Sequence, residues 1–324
     1  ISGTNIYRRL LMKNTAVEFL HQPESKNWFE LYSINFCDKK NKIYGNAEIE
    51  ILAKKNKIRF SWQACVDQTE YSEECETDFD GNYNAKKISS PIMKYTIIQP
   101  CENFKLELKN SKIKIDLDIS GLFSIYDYPL APDKDGNTER LAFESKMWKR
   151  IEQRCKFSGT AEYKSKEKKV VKKIDCFGQR EKHWGEKSFD SLKSYSRYMI
   201  QLRDMSFSLT CINFGNTVLS SGYMSKKSGN MPIDETELEH IDINKEGLPV
   251  ISEISYTDSF DEKDLIVSNR IHSFRYKPVT MGKNTFQHFK SFSEYSIVGA
   301  LKKGIGFEEH FIHSSFMPVI CGDK

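Results

Sequence analysis

Apolar and polar residues alternate with a period of two along most of the chain. The stretch KLELKNSKIKIDLDIS (residues 105–120) shows this most clearly, with a turn expected at Asn110-Ser111. Residues 46–66 and 197–224 follow the same pattern. A period of two is the spacing of side chains on one face of a β-strand. These stretches therefore predict pairs of antiparallel strands joined by short turns.

Further strands are expected in five other segments of the chain. Neither a long amphipathic helix nor a regular alternation of strands with helices is found in the sequence. This combination favours an antiparallel, all-β architecture. The five segments are residues 157–163, 250–256, 265–276, 292–301 and 306–313.

The alternation is interrupted at IYDYPLAPDKDGNTE (residues 125–139), which contains two prolines and a glycine. The following residues, 140–154, fit either a short helix or a connecting strand. We therefore expect two domains, residues 1–148 and residues 149–324. Each is long enough for eight to ten strands at about 8–12 residues per strand and turn.

Composition and charge exclude several classes of function. The chain has 324 residues and a net charge of +4, from 49 basic and 45 acidic residues, and no nucleic-acid-binding motif is found. One basic run, KSKEKKVVKK (residues 164–173), fits either a solvated hairpin tip or a patch for phosphate or anionic lipid at a membrane surface. No apolar run reaches the roughly 18 residues of a transmembrane helix.

Cysteine usage leaves the compartment open. The eight cysteines contain no CxxC pair and match no metal-site spacing, and their even number fits disulfides in a secreted protein. The absence of an Asn-x-Ser/Thr sequon favours an intracellular, cytoplasmic protein instead. Because the sequence begins with Ile1 rather than Met, we expect that a segment precedes it, and a cleaved signal peptide is one candidate. Nothing in the sequence fixes an oligomeric state.

Candidate chemistry concentrates in GQREKHWGEKSF (residues 178–189). One interpretation is an ion-paired loop in which Trp184 fills the core and Arg180 binds a carboxylate. The other is a pocket wall, in which the indole supplies an apolar π face and a neighbouring cation or acid polarises a carbonyl or stabilises a carbocation. Gly178 and Gly185 would allow tight backbone turns on either side.

Several familiar sites are not found in the sequence. It contains no GxSxG, HExxH or P-loop motif, and the glycines at Gly304 and Gly306 are too weak a signal for a nucleotide site. His310 and His313 are three residues apart, so on a strand they face opposite sides and are not expected to share a metal ion.

Three segments resemble proteins of the carotenoid 1,2-hydratase (hydroxyneurosporene synthase) type, which are related in fold to tocopherol cyclases and fungal lipocalin-like Diels–Alderases. The segments are EQRCKFSGTAEY, GQREKHWG and GIGFEEH, and the resemblance covers chiefly residues 150–324. It implies two lipocalin-like antiparallel β-barrel domains packed side by side, with an apolar ligand site and with neither a metal ion nor an organic cofactor.

The resemblance carries site residues over by position. The pattern of that group is a Glu-Gln pair, a Gly-x-Arg-Asp-His-x-Trp-Gly core and a late Gly-x-Gly-x-x-Glu strand. The core retains Gly178, Arg180, Trp184 and Gly185, and Glu181 stands in place of the aspartate. Lys182 occupies the histidine position, and His183 follows it by one place. The pair corresponds to Glu152-Gln153, and the late acid to Glu309.

The replacement of histidine by Lys182 changes the expected chemistry. An ammonium with an ordinary pKa of about 10.4 is a poor acid for protonating an isolated alkene. The Tyr-x-Asp pair of the hydratases is also missing, because the nearest segment here is Cys211-Ile212-Asn213. A desolvated Lys182 could instead donate to a carbonyl or form a Schiff base, while His183 could act as an acid or base near neutral pH. Adjacent strand residues face opposite ways, so Trp184 should share a face with Lys182 and not with His183.

The next strand supplies candidate substrate-binding residues. Tyr198 shares a face with Ile200 and Leu202, whereas Gln201 shares the other face with Arg203. Tyr198 and Gln201 are candidates to line the pocket, with Arg203 near the turn that ends the strand.

These patterns lead to a hypothesis and one main alternative. The hypothesis is a cofactor-independent enzyme that uses Arg180, Glu181, Lys182, His183 and Trp184 for catalysis, and Tyr198, Gln201, Arg203 and Glu309 for binding. Its substrate would be an apolar isoprenoid or polyketide-like molecule, and its reaction a cyclisation, an isomerisation or the addition or elimination of water. The alternative is a non-catalytic carrier of a lipophilic small molecule. A purely structural β protein is a third possibility.

Overall fold

The computed structural model describes residues 15–25, 28–128, 149–166, 168–186, 192–215, 218–276, 278–281 and 284–313. They form two units, each built on one antiparallel β-sheet. Helical structure in these ranges consists of two short 3₁₀ helices, Ala16–Glu18 and Ala53–Lys55. The all-β class predicted from the alternation is therefore confirmed. None of the helices described is long and apolar enough to cross a membrane.

The first unit is an eleven-stranded, curled sheet. Its strands are β1 (Trp28–Asp38), β2 (Ile43–Leu52), β3 (Lys57–Val66), β4 (Thr69–Asp78), β5 (Lys87–Ser89), β6 (Met93–Gln99), β7 (Asn103–Lys109), β8 (Ile113–Gly121), β9 (Tyr126–Asp127), β10 (Lys149–Ser165) and β11 (Lys168–Glu186). They pair in the order β4-β3-β2-β1-β11-β10-β8-β7-β6-β5, with β9 beside β10.

The second unit is a closed barrel. Its strands are β12 (Ser194–Gln201), β13 (Met205–Asn213), β14 (Val218–Lys226), β15 (Gly229–Ile243), β16 (Pro249–Asp258), β17 (Lys263–Arg275), β18 (Val279–Met281), β19 (Asn284–Ile297) and β20 (Lys303–His313). They pair in the order β17-β16-β15-β14-β13-β12-β20-β19-β18. A further pairing between β17 and β19 closes eight of these strands into a barrel.

Each unit has its own apolar core. The concave face of the first sheet carries the large side chains Phe36, Phe60, Phe104 and Phe157, all buried. The core of the second unit fills part of the barrel interior, and seven strands, β12–β17 and β19, contribute to it. In both units the core residues recur at every second position, which is why the alternation in the sequence was informative.

The structure corrects the predicted domain boundary near residue 148. Described residues up to 186 belong to the first unit, and those from 192 onward belong to the second. Strand β10 pairs with β8, and β11 pairs with β1, so the β10–β11 hairpin joins the two halves of the first sheet. The sequence GQREKHWG therefore lies in the first unit and not in the second.

Two glycine predictions also need correction, because β11 continues through the motif to Glu186 without a turn. Gly178 is needed instead for a close approach within the sheet. A Cβ atom there would lie 2.1 Å from the Asn35 carbonyl oxygen and 2.8 Å from the Phe157 ring. Gly185 has a φ of +137°, which side chains rarely allow.

The lysine-rich run from residue 164 to residue 173 forms the tip of the β10–β11 hairpin, as one of its two interpretations predicted. Most side chains at the tip are exposed, and Lys169 pairs with Glu162 across the hairpin at 2.7 Å. Residues 129–148, which contain most of the predicted interruption and of the helix-or-strand segment, lie outside the described residues, as does Cys321. The other seven cysteines carry thiols that form no disulfide.

Candidate functional site

The two faces of strand β11 divide the predicted catalytic residues into two groups. Arg180, Lys182 and Trp184 lie opposite Ile34, Tyr32 and Glu30 of β1, on the concave face that carries the apolar core. Glu181 and His183 lie on the other face. The prediction that Trp184 shares a face with Lys182, and not with His183, is confirmed.

A short segment that precedes β1 binds Arg180 on the concave face. This N-terminal segment, residues 15–25, includes the 3₁₀ helix Ala16–Glu18. Arg180 donates two hydrogen bonds to the Glu18 carboxylate, at 2.8 and 2.6 Å, and a third to Gln153 Oε1 at 2.8 Å. Burial would lower the pKa of the Arg180 guanidinium, but the Glu18 charge outweighs it and raises the pKa. The Arg180–carboxylate pair foreseen by the ion-pair interpretation is present.

Lys182 holds the same segment two residues further along β11. Its ammonium lies 2.7 Å from Glu30 Oε1 and donates to the Val17 carbonyl at 2.7 Å and to the Phe19 carbonyl. The ring of His21 lies 3.2 Å away. Burial lowers the pKa of Lys182, and the Glu30 charge opposes that shift. With these partners, the ammonium anchors the N-terminal segment.

The Trp184 indole is buried and closes the other end of this cluster. His21 stacks on it at 4.3 Å with an interplanar angle of 11°, and the Lys182 ammonium lies 5.1 Å from the ring centre. Trp28 and Ile151 pack around it in a small apolar cluster of their own. Trp184 is therefore a packing residue that also provides a cation–π surface.

The opposite face of β10 and β11 is polar and also buried. Glu152, which is 1% exposed, accepts a hydrogen bond from Gln179 at 2.5 Å and lies 3.0 Å from Arg150 Nε. Glu181 lies directly beside Glu152 in the sheet, and His183 lies beside Arg150. His183 also meets the Phe29 ring edge to face at 5.5 Å. The carboxylates on this face are thus kept out of solvent, beside the half-buried imidazole of His183.

The four predicted binding residues of the second unit do not come together. Tyr198 points into the barrel with Ile200 and Leu202, as predicted. Gln201 and Glu309 are on the opposite face of the sheet. Arg203 is exposed in the turn that ends β12. Only Tyr198 therefore lines the barrel interior.

Glu309 lies among cations. Its Oε1 atom is 2.9 Å from His288 Nε2 and 3.6 Å from the Lys290 ammonium, and Arg197 is directly opposite it on β12. Burial alone would raise the pKa of Glu309, but Lys290, His288 and Arg197 together lower it well below its usual range. The carboxylate is therefore ionised throughout the neutral range.

Replacing Glu309 with glutamine should destabilise the protein by about 1–3 kcal/mol at pH 7. The neutral amide cannot form the charge-assisted hydrogen bonds that the ionised carboxylate forms. A lowered pKa in the folded state contributes stability above the unfolded pKa of about 4.3, and this contribution is lost as the pH falls. The difference between wild type and Glu309→Gln should therefore shrink between about pH 5 and pH 3. Urea unfolding at a series of pH values measures it, and a difference that does not change with pH would contradict the assignment.

Sequence reasoning missed two groups of functional interest. Glu18 and His21 lie in a segment without periodicity, so nothing in the sequence linked them to Arg180 or Lys182. Glu308 and His310 are buried in the barrel interior, and their spacing of two along GIGFEEH was the available signal that they share a face. Among the described residues, no group of three or more His, Cys, Asp or Glu side chains is arranged to hold a metal ion.

A sequence profile described as a domain of unknown function, DUF7064, matches residues 14–291. The chain belongs to the DUF7064 family. A search of curated proteins found no match to the sequence.

Solved structures share the fold of this DUF7064 chain. CghA, crystallised with Sch210972, aligns with a TM-score of 0.65 at 9% identity and covers 89% of both chains. A Nitrosomonas europaea protein provisionally named AttH has a TM-score of 0.66 at 7% identity, over 90% of this chain and 94% of that one. Kievitone hydratase from Nectria haematococca has a TM-score of 0.57 at 9% identity, over 93% and 94%. The lipocalin-like fold implied by the three motifs is thereby confirmed.

Proposed function

We propose that the protein is a cofactor-independent enzyme that transfers protons to or from an apolar isoprenoid or polyketide-like substrate. The reaction would be a cyclisation, an isomerisation or the addition or elimination of water. The observation that carries the proposal is the polar face of β10 and β11, on which the buried carboxylates of Glu152 and Glu181 lie near the half-buried His183. Burying ionisable groups costs free energy, and titratable groups held together out of solvent are characteristic of functional sites.

The chemistry of that face fits acid–base catalysis. Gln179 and Arg150 hold Glu152 in place, so this carboxylate can act as a fixed acceptor for a substrate hydroxyl or an acidic C–H. His183 is the residue type that gains and loses a proton near neutral pH. We assign catalysis to Glu181 and His183, supported by Glu152. Arg180, Lys182 and Trp184 become positioning residues, because they hold the N-terminal segment.

The comparisons support an enzyme of this kind at the level of the fold. Kievitone hydratase is named as a hydratase, and CghA was crystallised with a small molecule, Sch210972. Proteins with this arrangement of strands therefore include at least one enzyme of water addition or removal. The identities of 7–9% leave the substrate and the reaction to be proposed from the residues of this chain.

Product formation from isoprenoid and polyketide-like compounds tests the proposal. We expect purified protein to convert one of them without added cofactor, with the product detected by mass spectrometry. His183→Ala should lower the rate by about 10²–10⁴-fold, as for loss of a general acid or base. His313→Ala, on another strand and in the other unit, is the matched control and should keep the rate. Equal losses in both variants would contradict the assignment.

A lipophile carrier is the second candidate, and one observation favours it. Arg180 and Lys182, the cations of the motif, are both bound to protein groups and so do not offer their charge to a substrate. If the purified protein binds a candidate isoprenoid one-to-one and releases it unchanged, the carrier function is supported and the enzyme is rejected. A product that wild type forms and that Trp184→Ala or His183→Ala does not form supports the enzyme and rejects the carrier.

A further inference from the structure

The barrel of the second unit contains a buried acid and an imidazole that the proposed function does not use. Glu308 and His310 are 1% and 0% exposed. His310 Nε2 lies 3.5 Å from Glu308 Oε2, and its Nδ1 lies 3.1 Å from the Ser196 hydroxyl. Tyr295 donates a hydrogen bond to Glu308 Oε1 at 2.8 Å. The carboxylate is therefore fixed from two sides, and His310 is fixed by Ser196.

Two buried hydroxyl groups flank this carboxylate. Glu308 pairs with Tyr198 on β12 and with Ser291 on β19, and all three side chains face the interior. Both hydroxyls are buried; that of Ser291 has no hydrogen-bond partner among the described residues, and that of Tyr198 has the Ser252 hydroxyl as its polar neighbour. Buried hydroxyls are normally satisfied, because leaving them without a partner costs free energy. The Tyr198 and Ser291 hydroxyls face the barrel interior on either side of the Glu308 carboxylate, so a ligand oxygen between them could accept hydrogen bonds from both.

Two inward-facing residues of this barrel, Cys211 and His240, keep partial exposure. Their strand partners Ser196 and Ser252 are buried. The His240 ring lies 6.0 Å from that of His310. Burial lowers the pKa of His240 to about 4, so its ring is neutral at pH 7. A small molecule entering past His240 would meet no strong positive charge on that ring.

The charge states of Glu308 and Tyr198 define the substrate class. Burial would raise the pKa of Glu308, but His310, Tyr295 and Ser293 together lower it, so the group is an anion at neutral pH. Burial and the Glu308 charge raise the pKa of Tyr198, which therefore stays a neutral donor. A carboxylate base beside hydroxyl donors would repel an anionic substrate. The carboxylate and the hydroxyls match the neutral carbonyl group of a substrate. The apolar core next to them matches a substrate whose remaining atoms are apolar.

We propose that the barrel interior is a second site, in which Glu308 transfers a proton within a neutral β,γ-unsaturated carbonyl compound. Glu308 removes a proton from the carbon between the carbonyl and the alkene, and the electron pair of that C–H bond forms a new double bond toward the carbonyl carbon. The carbonyl oxygen gains the negative charge and accepts hydrogen bonds from Tyr198 and Ser291. The carbonyl then re-forms, the enolate double bond shifts away from the carbonyl carbon to the next pair of carbons, and the former alkene electron pair takes the proton from Glu308 at the far alkene carbon. This gives the conjugated isomer without a co-reactant. His310 is a positioning residue.

Isomerisation of a β,γ-unsaturated cyclohexenone tests this site with the full-length protein. The conjugated product absorbs in the ultraviolet, so its formation is followed directly. We expect catalysis by wild type, a loss of about 10²–10⁴-fold in Glu308→Gln and a loss of about 10²–10³-fold in Tyr198→Phe. Glu253→Gln, which removes a carboxylate from the outward face of β16, is the control and should keep the rate.

A second measurement protects the test against simple misfolding. Incorporation of solvent deuterium next to the carbonyl of cyclohexanone requires that Glu308 removes a proton, exchanges it with solvent and returns a deuteron to the same carbon, with no transfer to an alkene carbon. Glu308→Asp, which keeps a carboxylate, should retain part of this exchange. Circular dichroism verifies that each variant is folded. A folded wild type that neither isomerises the enone nor exchanges deuterium overturns the proposal, and so does an equal loss in Glu253→Gln. The site on β10 and β11 is tested separately by its His183 variant, so either proposal can fail alone.

Discussion

Replacing Arg180 with methionine should lower the free energy of unfolding by about 3–5 kcal/mol, as for other buried ion pairs that lose one partner. Glu18 is 0% exposed and would lose both of its hydrogen bonds to the guanidinium. Gln153 would lose its own bond to Arg180. Methionine fills a similar volume, so the loss reports the missing charge rather than a cavity. Guanidinium unfolding followed by tryptophan fluorescence measures it, because Trp28, Trp62 and Trp184 all lie in this unit.

Two further variants decide whether burial is the cause. Lys57 pairs with Asp78 at 2.6 Å, but their side chains are 38% and 86% exposed. Lys57→Met should therefore cost less than about 1 kcal/mol. The double variant Arg180→Met with Glu18→Leu should recover most of the loss, since no buried charge then remains unpaired. An Arg180→Met variant as stable as Lys57→Met would show that Glu18 escapes into solvent when its partner is removed.

The alternation of apolar and polar residues predicted the fold class and most of the hairpins. The segment from residue 105 to residue 120 became β7 and β8, with the turn at Asn110, because each strand has one core face. The domain boundary was not predictable in the same way. Assignment of β10 and β11 to the first unit depends on pairing between β1 and β11, which are more than a hundred residues apart. No local pattern encodes such a pairing.

Strand parity also predicted part of the site. It placed Lys182 and Trp184 on one face and His183 on the other, because neighbouring side chains on a strand point in opposite directions. It could not show that the concave face is occupied by the N-terminal segment, since Glu18 belongs to a single 3₁₀ turn without periodicity. Nor could it show that Tyr198 and Ser291 flank Glu308, because that depends on the register of β20 with both β19 and β12, and β12 is distant from β20 in sequence.

Replacing Lys182 with methionine should also cost about 3–5 kcal/mol at pH 8, because the buried Glu30 carboxylate loses its cation. The Val17 and Phe19 carbonyls lose their donor at the same time. His21 Nδ1 lies 3.1 Å from Glu30 Oε1, so the imidazole remains beside the carboxylate when the ammonium is removed. Unfolding by guanidinium at pH 8 measures the loss.

Lys172→Met is the matched control on the same strand. Its ammonium also binds a carboxylate, that of Asp67, but the two side chains are 26% and 43% exposed. Water can therefore replace the lost partner, and we expect a cost below about 1 kcal/mol at pH 8. A Lys182→Met variant as stable as Lys172→Met would contradict the role of Lys182 as the buried cation that pairs with Glu30.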